Sequence, residues 1–194
     1  MNLGKKYFPD GCPYCMGEVL FVSAKEIDGV ERGINAYVCE NFLQRANGVP
    51  DCNTFVYAHQ TDLYGIKDAP KGILANLELR NIHREANEVL FKLWHDKVIH
   101  KVMPYVCTYK TEDGTEMYCE KIGEHDDKIT IKFFETGIVV QVAPDRISTI
   151  KPRTKAYLWL SQQMTAPITP IGNMDYETTI KAINIITDTL NKHK

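Results

Sequence analysis

The sequence predicts an α+β protein: a cysteine-bearing β-ribbon at the N-terminal end, then helices, with a small β-barrel inserted between two of them. Three observations carry this. Cys12, Cys15, Cys39 and Cys52 fall among short β-rich runs near the start of the chain. Apolar residues recur at three- and four-residue steps from Leu74 to Trp94 and again from Ile180 to Leu190, the spacing of a helix face. Between them, 101–153 alternates apolar and polar residues in short stretches broken by turn signals. The expected division is 1–100 with 154–194 as one discontinuous domain and 101–153 as the insertion.

In the ribbon, Val19-Leu20-Phe21-Val22 reads as a strand, and Ile34 to Val38 as a second running into Cys39. Asp28-Gly29 marks the turn between them, and Thr54 to Tyr57 supplies a third strand after Cys52. Cys12-x2-Cys15, Cys39 and Cys52 can therefore meet at one end of the sheet. Four thiolates satisfy a tetrahedral zinc ion with every position filled by protein, which marks a structural metal and leaves no open position for catalysis. His59 could replace a ligand, but four cysteines suffice. The rival is redox chemistry, because Cys12-Pro13-Tyr14-Cys15 has the letters of a glutaredoxin active site. That chemistry needs the first cysteine at a helix N-terminus, whereas Met16-Gly17 and a β-rich run follow here. It also leaves Cys39 and Cys52 without a role. One structural zinc is expected.

The long helical pattern follows the Asp68 to Gly72 turn, with mixed charges on its outer face. Further helices are expected near Thr154, with Thr154 as N-cap, and after Asp175, which can cap the last. In the insertion, Asp113-Gly114 reads as a two-residue hairpin turn. That register opposes Tyr109 to Tyr118 and Thr108 to Cys119, and it puts Cys107 and Cys119 on opposite faces as independent thiols. Asp126-Asp127 sits in a turn.

The chain has 194 residues and a formal net charge of −2, from 23 basic and 25 acidic residues. This balance argues against general affinity for phosphate backbones, so a nucleic-acid contact needs a local basic patch. The candidates are Arg80 and Arg84 on the helix, Lys151, Arg153 and Lys155 at the junction after the insertion, and Arg45 in the loop between Cys39 and Cys52. Tyr14, Tyr37 and Tyr57 are the ribbon aromatics available for base stacking. The longest apolar runs are short, so no membrane span is expected. The residues from Met1 to Phe8 lack the apolar stretch and cleavage site of a secretory signal. A cytoplasmic protein is expected.

Several of these strings occur together in a known family. They are Cys-Pro-Tyr-Cys, the later cysteine pair, Val56-Tyr57-Ala58-His59, the stretch Gly72-Ile73-Leu74-Ala75-Asn76-Leu77-Glu78-Leu79-Arg80, Ala156 to Leu160, and Ile171 to Asp175. Over residues 10–99 and 154 to about 190 the chain resembles the zinc-finger-containing domain family found largely in bacteriophages and prophages. Its ribbon is similar to those of bacterial type I topoisomerases, which implies single-stranded nucleic acid as a partner. Met16 departs from the Gly usual directly after the second cysteine, and the Cys39–Cys52 loop is longer than usual. The segment Ile131 to Val142 resembles an SH3-like or Tudor-like barrel. No catalytic constellation stands out. The expected function is non-enzymatic nucleic-acid binding, to single-stranded DNA or RNA, within a larger complex in a bacterial host. The alternative is a protein-interaction or virion-associated factor in which zinc is purely structural.

Overall fold

The structure is a computed structural model that describes residues 3–46, 49–50, 52–60 and 67–193. It divides into two compact units: 1–87 with 170–181, and 88–169 with 182–194. The unit boundaries therefore fall at 87/88, 169/170 and 181/182, within the long helical segments and a loop.

The first unit is built on a three-stranded antiparallel sheet. A short helix α1 (Leu3–Tyr7) precedes β1 (Val19–Ser23), and a one-turn helix α2 (Lys25–Asp28) leads to β2 (Asn35–Cys39). The expected Asp28-Gly29 turn is thus the end of α2, with Gly29 at a left-handed φ of 78° closing it. After α3 (Glu40–Leu43) and the paired β3 (Arg45–Ala46) and β4 (Val49–Pro50), β5 (Phe55–Tyr57) completes the order β1-β2-β5. The central strand β2 is buried on both faces. Tyr37 and Cys39 face a cluster with Val19, Ala58 and Leu74, whereas Ala36 and Val38 face Ile27 and Phe42. This explains why β2 reads as a continuous apolar run.

Tyr37 is the pivot of the first cluster. Its ring lies 4.9 Å from Phe21, 5.3 Å from Phe8 and 5.6 Å from Tyr7. Its hydroxyl donates to the Asp68 carbonyl at 2.5 Å. It is fully buried, so it offers no face to a nucleic-acid base, contrary to the expectation above. Helix α4 (Leu77–His95) starts at Asn76, whose side-chain oxygen accepts the Leu79 N–H at 2.8 Å, an N-cap. Leu77 is consequently the first helical residue and exposed, not part of the buried stripe. Gly72 lies against Gly172: the Ile73 N–H donates to the Gly172 carbonyl at 3.0 Å, and a Cβ at Gly72 would overlap that oxygen.

The second unit holds a five-stranded antiparallel sheet. After α5 (Val98–Val102) come β6 (Val106–Lys110), β7 (Glu116–His125), β8 (Lys128–Phe133), β9 (Val139–Val142) and β10 (Ile147–Thr149). The order is β10-β6-β7-β8-β9. The expected barrel is not closed: β9 and β10 are the two edges, and a 3-10 turn at Pro144–Arg146 carries the chain from one edge to the other. Four- and three-residue edge strands present too little ladder to seal the sheet. One face buries Cys107, Cys119, Ile129, Ile131 and Phe133. Asp126 and Asp127 take φ of 47° and 58° between His125 and Lys128, the two left-handed residues of a type I′ hairpin.

The first hairpin of this sheet differs from expectation by one residue. Its loop has three residues, Glu112-Asp113-Gly114, closed by the Thr111 N–H donating to Thr115 O at 2.9 Å. Gly114 takes φ 88°, and the Asp113 carboxylate accepts the Thr115 N–H. Cys107 therefore pairs with Cys119, Thr108 with Tyr118 and Tyr109 with Met117. Tyr109 and Tyr118 are not opposed, and Tyr109 packs on Phe133 with ring centroids 5.6 Å apart.

Helix α6 (Pro152–Met164) begins with Pro152 at its first position and Lys151 before it, not with Thr154 as cap. Helix α7 (Tyr176–Lys192) is capped as expected, the Asp175 carboxylate accepting the Thr178 N–H at 2.7 Å. No described helix is long and apolar enough to cross a membrane.

Candidate metal centre

Cys12 and Cys15 stand on a tight turn before β1. The Cys12 N–H donates to Gly17 O and its carbonyl accepts the Met16 N–H, both at 2.9 Å. No helix follows Cys15, so the helix N-terminus that a reactive redox cysteine needs is missing from this turn. Cys39 ends β2, paired across to Val19, with its N–H donating to Thr54 O at 3.1 Å. Cys52 lies two residues before Thr54, at the entry to β5. The sheet thus brings the three segments to one end.

All four sulfurs lie within 4.8 Å of one another. Cys12 and Cys52 sulfurs are 3.7 Å apart, and those of Cys15 and Cys39 are 3.3 Å apart. A zinc ion with Zn–S bonds of ~2.3 Å in a tetrahedron separates its sulfurs by about 3.8 Å, so the cluster fits that ion. Cys12, Cys39 and Cys52 are buried and Cys15 is exposed. His59 is not part of the cluster.

The surroundings are built for thiolates. The Asn41 side-chain amide donates to Cys15 Sγ at 3.4 Å, and the Thr54 hydroxyl lies 3.1 Å from Cys52 Sγ. At Gly17 a Cβ would meet Asn41 Nδ2 at 2.9 Å and Cys39 Sγ at 3.1 Å, so only glycine leaves the sulfurs this close. Met16 beside it takes φ 61°, the left-handed conformation that glycine adopts at least cost. Sequence reasoning missed Gly17, Asn41 and Thr54, because nothing in a sequence places Asn41 or Thr54 beside a sulfur.

Burial pushes the Cys39 and Cys52 thiols up. At Cys15 burial acts the same way but is outweighed by hydrogen bonds from the Gly17 backbone and Asn41, which bring it down to about 7. The buried Cys39 and Cys52 thiols hold their protons unless a cation takes their place. A divalent soft-ligand ion is the group that reconciles this packing with deprotonated sulfur.

Residues 8–132 match the zinc-finger-containing domain family. That is well over half of the chain. The chain belongs to this family. The family match takes in β6, β7 and all but the last residue of β8, where no resemblance to this family was expected, and does not extend over 154–190. No curated protein and no solved structure matches the chain.

The basic residues picked out in the sequence have separate fates. Arg80 donates from Nη1 to Asn53 O and Ala75 O, both at 2.6 Å, and its guanidinium lies 4.1 Å over the Phe55 ring. It ties the Cys52 segment to the start of α4. Asn53 also accepts the Leu77 N–H at 2.8 Å through its side chain. Arg84 is exposed and donates to Asn81 at 3.2 Å. Lys155 is buried at 5% exposure, and burial holds its ammonium below the usual lysine range. Lys151 and Arg153 are exposed, with Arg153 5.9 Å from the Tyr157 ring. Arg45 opens β3, and its side chain lies outside the described residues. Arg45, Arg80 and Arg84 belong to the first unit, and Lys151, Arg153 and Lys155 to the second.

Proposed function

We propose that Cys12, Cys15, Cys39 and Cys52 bind one structural zinc ion, and that the protein is a non-enzymatic binding module acting through a protein partner. The carrying observation is the closed four-sulfur cluster. With all four positions supplied by protein, the metal staples the Cys12–Cys15 turn to the end of β2 and to the Cys52 segment, and has no site for a substrate. Binding zinc is then part of the folding free energy. A reducing cytoplasm suits such thiolates, in keeping with the resemblance to phage and prophage chains.

A protein partner is favoured over nucleic acid by what the basic residues do. Arg80 spends its guanidinium on two carbonyls, Lys155 is buried, and Tyr37 has no exposed face. Single-stranded DNA or RNA is the second reading, supported by exposed Arg84, Lys151 and Arg153. Filter binding of the zinc-loaded chain to single-stranded oligonucleotides at low salt separates the two. The protein-partner reading expects no retention. Retention that falls steeply with salt establishes the nucleic-acid reading instead.

A further inference from the structure

Beside the Cys12–Gly17 turn lies a cavity of about 780 Å³, within the size range of ligand-binding clefts. Its lining includes Phe8, Tyr14 and Met16 from the segment before β1, together with Ile73 and Tyr176. These are apolar and open to solvent at several points: Met16 is 74% exposed, Tyr14 45% and Tyr176 42%. Three charged groups line the cavity, Asp10, Glu78 and Asp175, and all are carboxylates. Among the described residues Asp10, Glu78 and Asp175 make no ion pair, and the Asp175 carboxylate accepts from the N–H and the side chain of Thr178.

From this we infer that the groove docks a segment of a partner protein in which a Lys or Arg stands next to a bulky apolar side chain. The inference rests on the protein-partner reading above. Charge complementarity selects the occupant. Three carboxylates with no neighbouring cation in the lining repel a phosphate backbone and attract an ammonium or guanidinium. The aromatic rings add cation–π attraction for the same group. The chain itself displays that contact nearby, with Lys6 Nζ 4.8 Å from the centroid of the Tyr7 ring. The apolar walls bury the neighbouring side chain.

Met16 supports the assignment independently. It sits at φ 61°, where glycine costs least and a side chain adds strain. Its long thioether packs into no core and stands exposed at the groove. Flexible, polarisable methionine is a common contact residue of binding surfaces. Strain held at an exposed apolar residue beside a groove points to use of that side chain. Pro13, Tyr14 and Met16 all belong to the cysteine turn, so the metal fixes that part of the lining.

The test is selection of random 12-residue peptides displayed on phage against the zinc-loaded full chain. The selected peptides are then titrated into wild type, Met16→Gly and the double variant Asp10→Lys/Glu78→Lys. Zinc content and melting temperature serve as fold checks. Enriched peptides are expected to carry Lys or Arg beside Leu, Phe, Trp or Met. Their affinity should fall about tenfold or more in both variants, while zinc content holds. Peptides that bind the two variants as tightly as wild type overturn the groove but leave the protein-partner reading standing. Enrichment of acidic or uncharged peptides overturns it as well, and so does no enrichment. No enrichment together with salt-sensitive retention of a single-stranded oligonucleotide removes both readings.

Discussion

The sulfurs of Cys107 and Cys119 lie 3.2 Å apart on directly paired residues of the β6–β7 hairpin. They share the buried face of the second sheet with Ile131 and Phe133. Burial, with Cys107 beside it, pushes the Cys119 thiol up to about 12. Thiolate is the reactive form, so Cys119 is shielded by its raised pKa, and both thiols are shielded by burial.

Alkylation therefore resolves the six cysteines into two sets. Zinc-loaded native protein should take up no iodoacetamide at Cys107 or Cys119. Stripping the metal with a chelator should expose Cys12, Cys15, Cys39 and Cys52, and full denaturation should add the remaining two. Mass spectrometry of the peptides gives the count. Early labelling of Cys107 would show that the second sheet opens when the zinc leaves.

Gly72→Ala should destabilise the protein by about 1–3 kcal/mol, because the new methyl group meets a backbone carbonyl that cannot rotate away. Gly123→Ala is the control. Its Cβ would meet Thr130 at 3.8 Å, ordinary contact, and the change should stay within about 0.5 kcal/mol. Urea unfolding of both variants checks the difference. Equal costs would show that the Gly72–Gly172 contact yields easily.

Arg80→Ala should cost about 2 kcal/mol, the loss of charged hydrogen bonds to Asn53 O and Ala75 O. Arg80→Lys should not restore it, since an ammonium cannot reproduce the flat guanidinium stacked on Phe55. Zinc should also leave more readily, because the Cys52 segment then loses one of its ties to the start of α4. A variant of wild-type stability and zinc retention would return Arg80 to the list of surface contacts.

Zinc retention should fail on acidification. Without metal, burial raises the Cys39 and Cys52 thiols, so near neutrality they carry protons that must leave when zinc binds. Bound zinc holds all four sulfurs deprotonated, which places their effective pKa below that of unfolded cysteine. Sulfur groups lowered in this way stabilise the fold above the unfolded value, and the contribution is lost as pH falls through the lowered one. Zinc affinity should rise with pH across the neutral range, read by competition with a chromogenic chelator. A flat profile would mean that the ligands are not thiolates.

Met16→Gly should leave the fold intact and raise stability by up to about 1 kcal/mol, the strain of a side chain at left-handed φ. Thermal unfolding of the zinc-loaded protein measures this. A loss of stability would show that the exposed thioether packs more closely than its 74% exposure implies.

The cysteine cluster was legible because zinc ligation imposes residue types and spacings that β-strands can satisfy in few ways. The long helices were legible from their period, and Asp175 was recognisable as a cap. The hairpin register was not. Asp113-Gly114 reads as a two-residue turn, yet Thr111 and Thr115 close a three-residue loop, and one residue of slip reverses every side chain on one strand. The barrel failed for a related reason: alternation predicts strands and turns but not whether two short edges meet. The packing of Arg80 was not legible, because charge is visible in a sequence and its carbonyl partners are not. Arg80 reads as a surface cation and is a clasp. Residues 47–48 and 51, inside the long loop between Cys39 and Cys52, lie outside the described residues.

The central claim is one zinc ion held by four cysteines. Elemental analysis and X-ray absorption at the zinc edge, on protein purified without added metal, test it most directly. The account predicts one zinc per chain with four sulfur neighbours at about 2.3 Å. Folded, metal-free protein with Cys12 joined to Cys15 in a disulfide would contradict it, and so would a coordination shell containing nitrogen or oxygen.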